Sequence, residues 1–581
     1  MKNNLTTLLI TALIVCSCAK KEQIEVDSID AEVEKHAKLE IDDLKDLELE
    51  IEESEPEVLK VEKPELYLKY YLKSKFSLYN SNDLKVIAEN NYQLAKQDPT
   101  NLQAQEQAFL LLLAAQDYAN ALNIINNKQT DYLITFERLF NYSQQIAKGD
   151  IKTAEKTLGQ LMNSQNRLPH LKILKAYFQY NKDNDIEKLK ADILDINSSL
   201  ALDGFKYYYI ARAYEAKKEY ATAFALYNKA FTEHTLRTED VFSRLVYTAK
   251  KVEQDGKDNF KSNGKYGEDI YLVDQAFIDI SKLKEVDNSL KAVSAQVLYD
   301  LGWSINQTTS NLAGLDFLAL SDYIVPADKV KFQMAKGMYA NDWTVTTTRL
   351  LESIEENSDY YLSARIVLAD ALKSTDSKKA IQVIKDLKAN SKFNQHYLDS
   401  VLGQIYLESE QYKEAINALT SALENDKSSK VYFSRAVAYE RAGMIPQSLA
   451  DLNVALEKNP NNPIVLNYIG YLLVDIKGKA DEGIDYIKRS IELDPTNPAS
   501  LDSLGWAYLK LGKYKQALEY LEKAYGLETQ DGIITGHLAD AYYHNDRKEE
   551  AVIYWNKALE LEKKDAREIQ RIRNQLYKYN K

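Results

Sequence analysis

The sequence predicts an all-α fold, a superhelical solenoid of about a dozen stacked helix pairs, some of them degenerate. Three observations predict it. From Leu66 onward Ala, Leu, Tyr, Lys and Glu recur at helical spacing, Val-rich alternating runs are missing, and the whole 581-residue chain holds only 10 prolines. A set of small and aromatic residues returns with a fixed period of 34. Short Asn-Pro punctuation also falls between the units, where a helix must stop and restart.

The chain opens on "LTTLLITALIVCSCAKK". Lys2 supplies a positive charge, and Leu5 to Val15 form an apolar run of signal-peptide length, too short to span a bilayer. Val15-Cys16-Ser17-Cys18 resembles a bacterial lipobox, with small Ser17 before the cysteine that would become the lipidated N-terminus. Cys18 fits better than Cys16, which follows branched Val15. An ordinary signal peptide cut after Ser17 or Ala19 is the plainer alternative. Acyl chains contribute about 0.8 kcal/mol per buried methylene, so several together hold a protein to a membrane almost permanently. Ala19 resembles the pattern of lipoproteins sent to the outer membrane. Residues 1–17 are therefore read as the lipoprotein signal peptide, and the expected location is the outer membrane, lipid-anchored and facing the periplasm. Cys16 and Cys18 are the only cysteines, so no thiol is left for a disulfide, a thiolate metal site or a nucleophile.

Residues 18–65 form the lipidated N-terminus and an acidic tether: Glu22 to Glu65 carry 18 acids against 5 bases. Like charges at that density keep a chain extended and solvated. A rival reading makes Ile29, Val33, Leu44 and Leu47 parts of an amphipathic helix ordered by a basic partner. The net charge of −13 resides in this leader, and the rest of the chain is near neutral. Nucleic-acid binding is disfavoured accordingly.

Residues 66–390 read as degenerate repeats. "YIARAYEAKKEYATAFALYNKAF" is a clear unit, with Ala211, Tyr214, Tyr220, Ala223, Tyr227 and Ala230, whereas "AKGDIKTAEKTL" and "YANDWTVTTTRLL" keep only the turn and a small residue. Gly, Asn and Asp crowd residues 253–268, which predicts an inserted surface loop.

Residues 391–563 hold the well-formed repeats. Leu504-Gly505, Tyr508, Ala517, Leu521 and Ala524 reappear 34 residues on as Leu538-Ala539, Tyr542, Ala551, Trp555 and Ala558. That spacing is the tetratricopeptide period. Gly505 and Ala517 are predicted where the two helices of a pair touch, with Tyr508 and Leu521 filling the space beside them. Asn497 is the expected N-cap, followed by Pro498 at the first helical position. Residues 564–581 predict a capping helix with Ile569, Ile572 and Leu576 on one face.

A search for catalytic chemistry comes back nearly empty, so the expectation is that the protein is not an enzyme and uses no cofactor. None of the 6 histidines forms an HxH or HxxxH pair; His537 and His544 lie two helical turns apart, about 10 Å. No GxxxxGK[ST], GxGxxG or GxSxG motif occurs. An interaction surface is the better expectation. Gln404, Asn467, Tyr471, Asp502, Trp506 and Asp540 are candidates for the concave groove, where amides and carboxylates could bond an extended peptide and aromatic rings give flat contact. In the alternative reading Trp506 packs against the neighbouring repeat, Asp502 is a cap or faces water, and His537 is a satisfied interior histidine. Leu66, Tyr67, Tyr70 and Tyr71 are candidates for a docking edge, because no earlier repeat covers the first helix.

The stretch from "VLNYIGYLLVD" through "SLDSLGWAYLKLGKYKQALEYLEKAYGLE" to "AVIYWNKALEL" resembles the C-terminal repeats of long tetratricopeptide outer-membrane lipoproteins. "ELYLKYYLKSKFSLYN" and "LAKQDPTN" match more loosely. One branch of that family binds a periplasmic carboxyl-terminal processing protease and delivers peptidoglycan hydrolases to it. The resemblance therefore implies a membrane-tethered adaptor whose partners are such a protease and cell-wall hydrolases, or other envelope factors. The alternative is an accessory scaffold for outer-membrane protein, pilus or peptidoglycan-synthesis machinery.

Overall fold

The computed structural model describes residues 64–562 and 565–579, apart from short stretches at 129–133, 165–167, 198–199, 253–269, 274–275, 280–282, 309–311, 391–392 and 476–478. The signal segment, Cys18, the acidic tether and the loop predicted over 253–268 lie outside the described residues. Among the described residues the chain forms 28 helices, as thirteen pairs and two single helices, Glu239–Lys251 and Ala566–Tyr579. The all-α repeat fold is thus as the sequence predicts. The chain divides into two compact units, Met1–Phe393 and Asn394–Lys581.

The second unit consists of five pairs and the last single helix. Its pairs begin at Gln395, Ser429, Pro463, Pro498 and Gly532. Asn497 caps its helix by accepting the Ser500 N–H at 3.1 Å, and Pro498 occupies the first turn. The two helices of a pair touch where sequence puts glycine and alanine. A Cβ on Gly505 would lie 2.5 Å from Leu521 Cγ, and one on Gly403 would lie 2.5 Å from Leu419 Cγ. Ala517 and Leu521 are fully buried there.

One turn geometry joins the first helix of a pair to the second in both units. The residue two before the second helix is left-handed at Gln116, Gly149, Asn184, Lys218, Asp342, Glu410, Gly443, Gly512 and Asp546. The next N–H reaches back to a carbonyl of the last turn, as in Lys513 N–H to Tyr508 O at 2.9 Å and Gln411 N–H to Tyr406 O at 2.8 Å. This closure satisfies carbonyls that a helix end leaves open. Three glycines adopt it freely, and the other six residues adopt it because the repeat geometry imposes it.

The first unit departs from nearest-neighbour stacking. Among the described residues its helix Glu239–Lys251 is not followed by a second helix. The next described element is an antiparallel hairpin, Ile270–Val273 with Ala276–Asp279, in which Ile270 pairs with Asp279 and Val273 with Ala276. The strands of this hairpin are only 4 residues each, too short to show alternation in the sequence. The helices from Leu290 to Glu352 then turn back onto earlier ones. Tyr118 Oη donates to Ala319 O at 2.9 Å, Tyr142 Oη pairs with Ser294 Oγ at 2.8 Å, and Arg349 Nη2 meets Asp83 Oδ2 at 2.8 Å. A single apolar core consequently runs from Leu84 to Met338. These long-range contacts replace the neighbour-only contacts that repetition predicts.

Candidate functional site

In the second unit the predicted groove positions lie on the first helices of successive pairs, and most are engaged with the next first helix. Gln404 donates to Ser434 Oγ, and Tyr468 Oη donates to Glu440 Oε2 at 3.2 Å. Asp502 and Trp506 straddle His537: its Nδ1 lies 2.9 and 3.0 Å from the two Asp502 oxygens, and its ring stacks on Trp506 with centroids 4.2 Å apart. Asp540 accepts the Trp555 Nε1–H at 2.8 Å and pairs with Arg571 of the final helix. Asp502, Trp506 and Asp540 are all over 90% buried. Asn467 and Tyr471 are half-buried, and Asn467 Oδ1 is sealed from solvent with no hydrogen-bond partner among the described residues.

These contacts form a ladder along the inner face. The reading of His537 as a satisfied interior histidine, with Trp506 packed against the neighbouring repeat, matches this geometry. Helix Ala566–Tyr579 takes the place of a sixth first helix, with buried Ile572 and with Glu568 and Arg571 against Gly536. Just before it, Arg441 Nη1 meets Asp565 Oδ2 at 3.2 Å, and Arg567 Nη2 meets Glu440 Oε1 at 3.4 Å; both contacts bridge back to helix Ser429–Arg441.

Burial by itself would lower the His537 pKa, but the charge and hydrogen bond of Asp502, with Glu568 adding to them, raise it above the ordinary histidine value. A raised folded-state pKa means that the stabilisation is complete below the unfolded value of about 6.5 and is lost as pH climbs through the folded value. Calorimetric melting should therefore show the wild type losing stability, relative to Asp502→Asn, as pH rises above about 6.5. A charged hydrogen bond of this kind contributes about 1.5–3 kcal/mol. Equal pH slopes in the two proteins would show that the pair does not titrate as described.

At the other end of the chain, helix Pro64–Asn80 packs on Leu84–Gln97, with Ser74 Oγ donating to Asn91 Oδ1 at 2.9 Å. Leu66, Tyr67, Tyr70 and Tyr71 are half-buried, and Tyr67 and Tyr71 stack with centroids 6.4 Å apart. Among the described residues no helix precedes this one.

The first unit contains a polar centre that the sequence reading passed over. Glu239 accepts from Tyr299 Oη at 2.7 Å and Gln333 Nε2 at 3.1 Å; burial pushes its carboxyl up to about 7, with neighbouring Asp240 adding to the shift. Burial, reinforced by Asp240, likewise raises Asp300 to about 7, and Tyr209 Oη bonds it. Asp240 itself is held below the ordinary carboxylate value: burial pushes it up, but the charge and hydrogen bond of Lys329 outweigh that, with Gln296 and Arg212 helping. Beside this network lies a cavity of about 730 Å3. Polar residues on helix faces whose other members are apolar, such as Arg212 after Tyr208 and Tyr209, are the available signal in the sequence.

Comparison with known proteins bears on the second unit most directly. Residues 367–564 match the tetratricopeptide repeat family. Over 167 residues, 28% of this chain, it is 28% identical to the TPR repeat-containing protein PA4667 of Pseudomonas aeruginosa, and the match spans 22% of that protein's length. Two solved structures are similar. TTC0263, a thermophilic TPR protein of Thermus thermophilus, is 21% identical, matching 31% of this chain and 99% of that one with a TM-score of 0.29. The C-terminal part of a TPR repeat-containing protein from Cytophaga hutchinsonii is 21% identical, matching 34% of this chain and 78% of that one with a TM-score of 0.27. The match of residues 367–564 to tetratricopeptide repeats agrees with the helix pairs described above, and repeats of this kind generally serve as protein-interaction scaffolds.

Proposed function

We propose that the protein is a membrane-anchored scaffold of the cell envelope that brings a periplasmic carboxyl-terminal processing protease together with cell-wall hydrolases. The observation that carries the scaffold reading is the run of five stacked helix pairs in the second unit, which presents long rows of side chains on its faces. The lipobox-like Val15 to Cys18 and the acidic leader support the anchor, and the resemblance of the C-terminal repeats supports the choice of partners. Co-localisation of this kind raises effective concentration to about millimolar without new chemistry.

Affinity capture with the full-length protein from native membranes tests it. A serine protease and at least one peptidoglycan hydrolase should co-purify, and the absence of both discards the adaptor reading. Recovery of outer-membrane insertion, pilus or peptidoglycan-synthesis components instead would favour the accessory-scaffold reading.

The half-buried aromatic edge of the first helix is the proposed docking place for the protease. Tyr67→Lys with Tyr70→Lys should reduce capture about tenfold or more, since aromatic anchors dominate such interfaces. Circular dichroism should stay unchanged. Undiminished capture by the folded double variant would rule this edge out.

A further inference from the structure

The cavity in the first unit is walled by the early arc and by the returning chain. Arg212, Asp240 and Arg244 come from the arc, while Gln296, Lys329 and Tyr360 come from the return. Arg244, which is buried, and Lys329, which is partly exposed, are both matched by carboxylates. Arg244 meets Glu215 Oε1 at 2.8 Å and donates to Lys284 O at 2.7 Å. Lys329 meets Asp240 Oδ2 at 2.9 Å and donates to Gln296 Oε1 at 2.6 Å.

Arg212 differs from both. Only 6% of it is exposed, yet its acceptors among the described residues are neutral: Tyr208 Oη at 3.2 Å and the Asp287 carbonyl at 2.8 Å. Its Nε is buried without an acceptor among those residues. A guanidinium cannot shed its charge; Asp240 is near enough to feel that charge but accepts its hydrogen bonds from Lys329 and Gln296, so the buried Arg212 Nε is left without an acceptor among the described residues, which is costly. Such an arrangement persists when a bound group completes it.

The rest of the lining restricts what that group can be. Asp240 lies among the cations, and Glu285, Asp287 and Asp328 bring further carboxylates to the wall. A compact polyanion would meet these acids at close range. A ligand with one carboxylate and one ammonium suits both signs, and amide N–H and C=O groups between them suit the polar walls. The volume lies within the range of ligand-burying pockets, on the order of three residues of peptide.

We propose that this cavity binds a free, zwitterionic short peptide, its terminal carboxylate on Arg212 and its ammonium toward the acidic wall. This site is independent of the docking edge on the first helix and stands whether or not the adaptor reading does.

Isothermal titration of the full-length protein tests it, with trialanine, trialanine amide, N-acetyl-trialanine and inorganic phosphate as probes. Trialanine should bind at one site; amidation should weaken it about tenfold, the usual order for losing a charge-assisted pair, and acetylation by a smaller factor. Phosphate should not compete. Arg212→Gln should lose affinity as amidation does, and the wild-type protein with the four probes decides the matter even where that variant fails to fold. Equal affinity for trialanine and its amide, competition by phosphate, or no heat with trialanine up to about 10 mM would overturn the proposal.

Discussion

Trp555→Ala should lower the unfolding free energy of the second unit by about 3–5 kcal/mol, the cost of emptying a large aromatic site. Trp555 is 1% exposed, with Tyr543 tilted against it at 5.5 Å between centroids and Ala539 and Leu538 in the same cluster. Its indole N–H is also one of the two partners that satisfy buried Asp540. The alanine variant therefore creates a void and leaves Asp540 held by Arg571 alone. Trp555→Phe separates the two effects, because it keeps most of the volume and should cost only about 1.5–3 kcal/mol for the charged hydrogen bond. Urea titration followed by hydrogen exchange of the last two pairs reads both. A loss under about 1 kcal/mol for the alanine variant would contradict the burial described.

Gly483→Leu should be comparably damaging for the opposite reason. A Cβ there would lie 2.5 Å from the Gly470 carbonyl oxygen and 2.6 Å from Val474 Cγ2. A carbonyl oxygen in a helix cannot step aside as a flexible side chain can, so the pair Pro463–Asp475 and Ala480–Leu493 must separate. Overpacking of this kind costs about 1–3 kcal/mol, and more where backbone is the obstacle. Gly526→Ala is the control. Nothing lies within 4 Å of its Cβ position, and alanine is favoured over glycine inside a helix by about 1 kcal/mol, so that variant should be neutral or stabilised. Thermal melting of the two proteins should shift in opposite directions.

Both predictions concern the part of the molecule that sequence described best. Gly505, Ala517, Tyr508 and Leu521 were assignable because close helix contact admits only a narrow range of side chains, and a 34-residue repeat prints that restriction several times over. Asn497 and Pro498 were legible for a related reason: few residues suit a helix start. The return of Leu290–Glu352 onto earlier helices was not legible. Its contacts, such as Tyr118 with Ala319 and Asp83 with Arg349, join residues 201 and 266 apart, and no local pattern records a partner that distant. The spacing of Asp502 and Trp506, expected to line a groove, could not say that His537 already lies between them and that both are buried. Arg212 escaped notice because a charge in a helical pattern ordinarily faces water, and only the returning chain encloses it.

The folded-back first unit also sets the order in which this polypeptide can mature. Residues up to Lys251 leave the ribosome, and are handed on, before the helices that will seat against them exist. Until Glu352 is made, Tyr142 lacks its partner Ser294, Tyr209 lacks Asp300 and Phe140 lacks Tyr323, and closing distant contacts is slow compared with winding a helix. The second unit has no such wait, since each hairpin finds its neighbour as soon as the next is synthesised. Chaperone dependence during biogenesis should therefore concentrate on the early half of the chain.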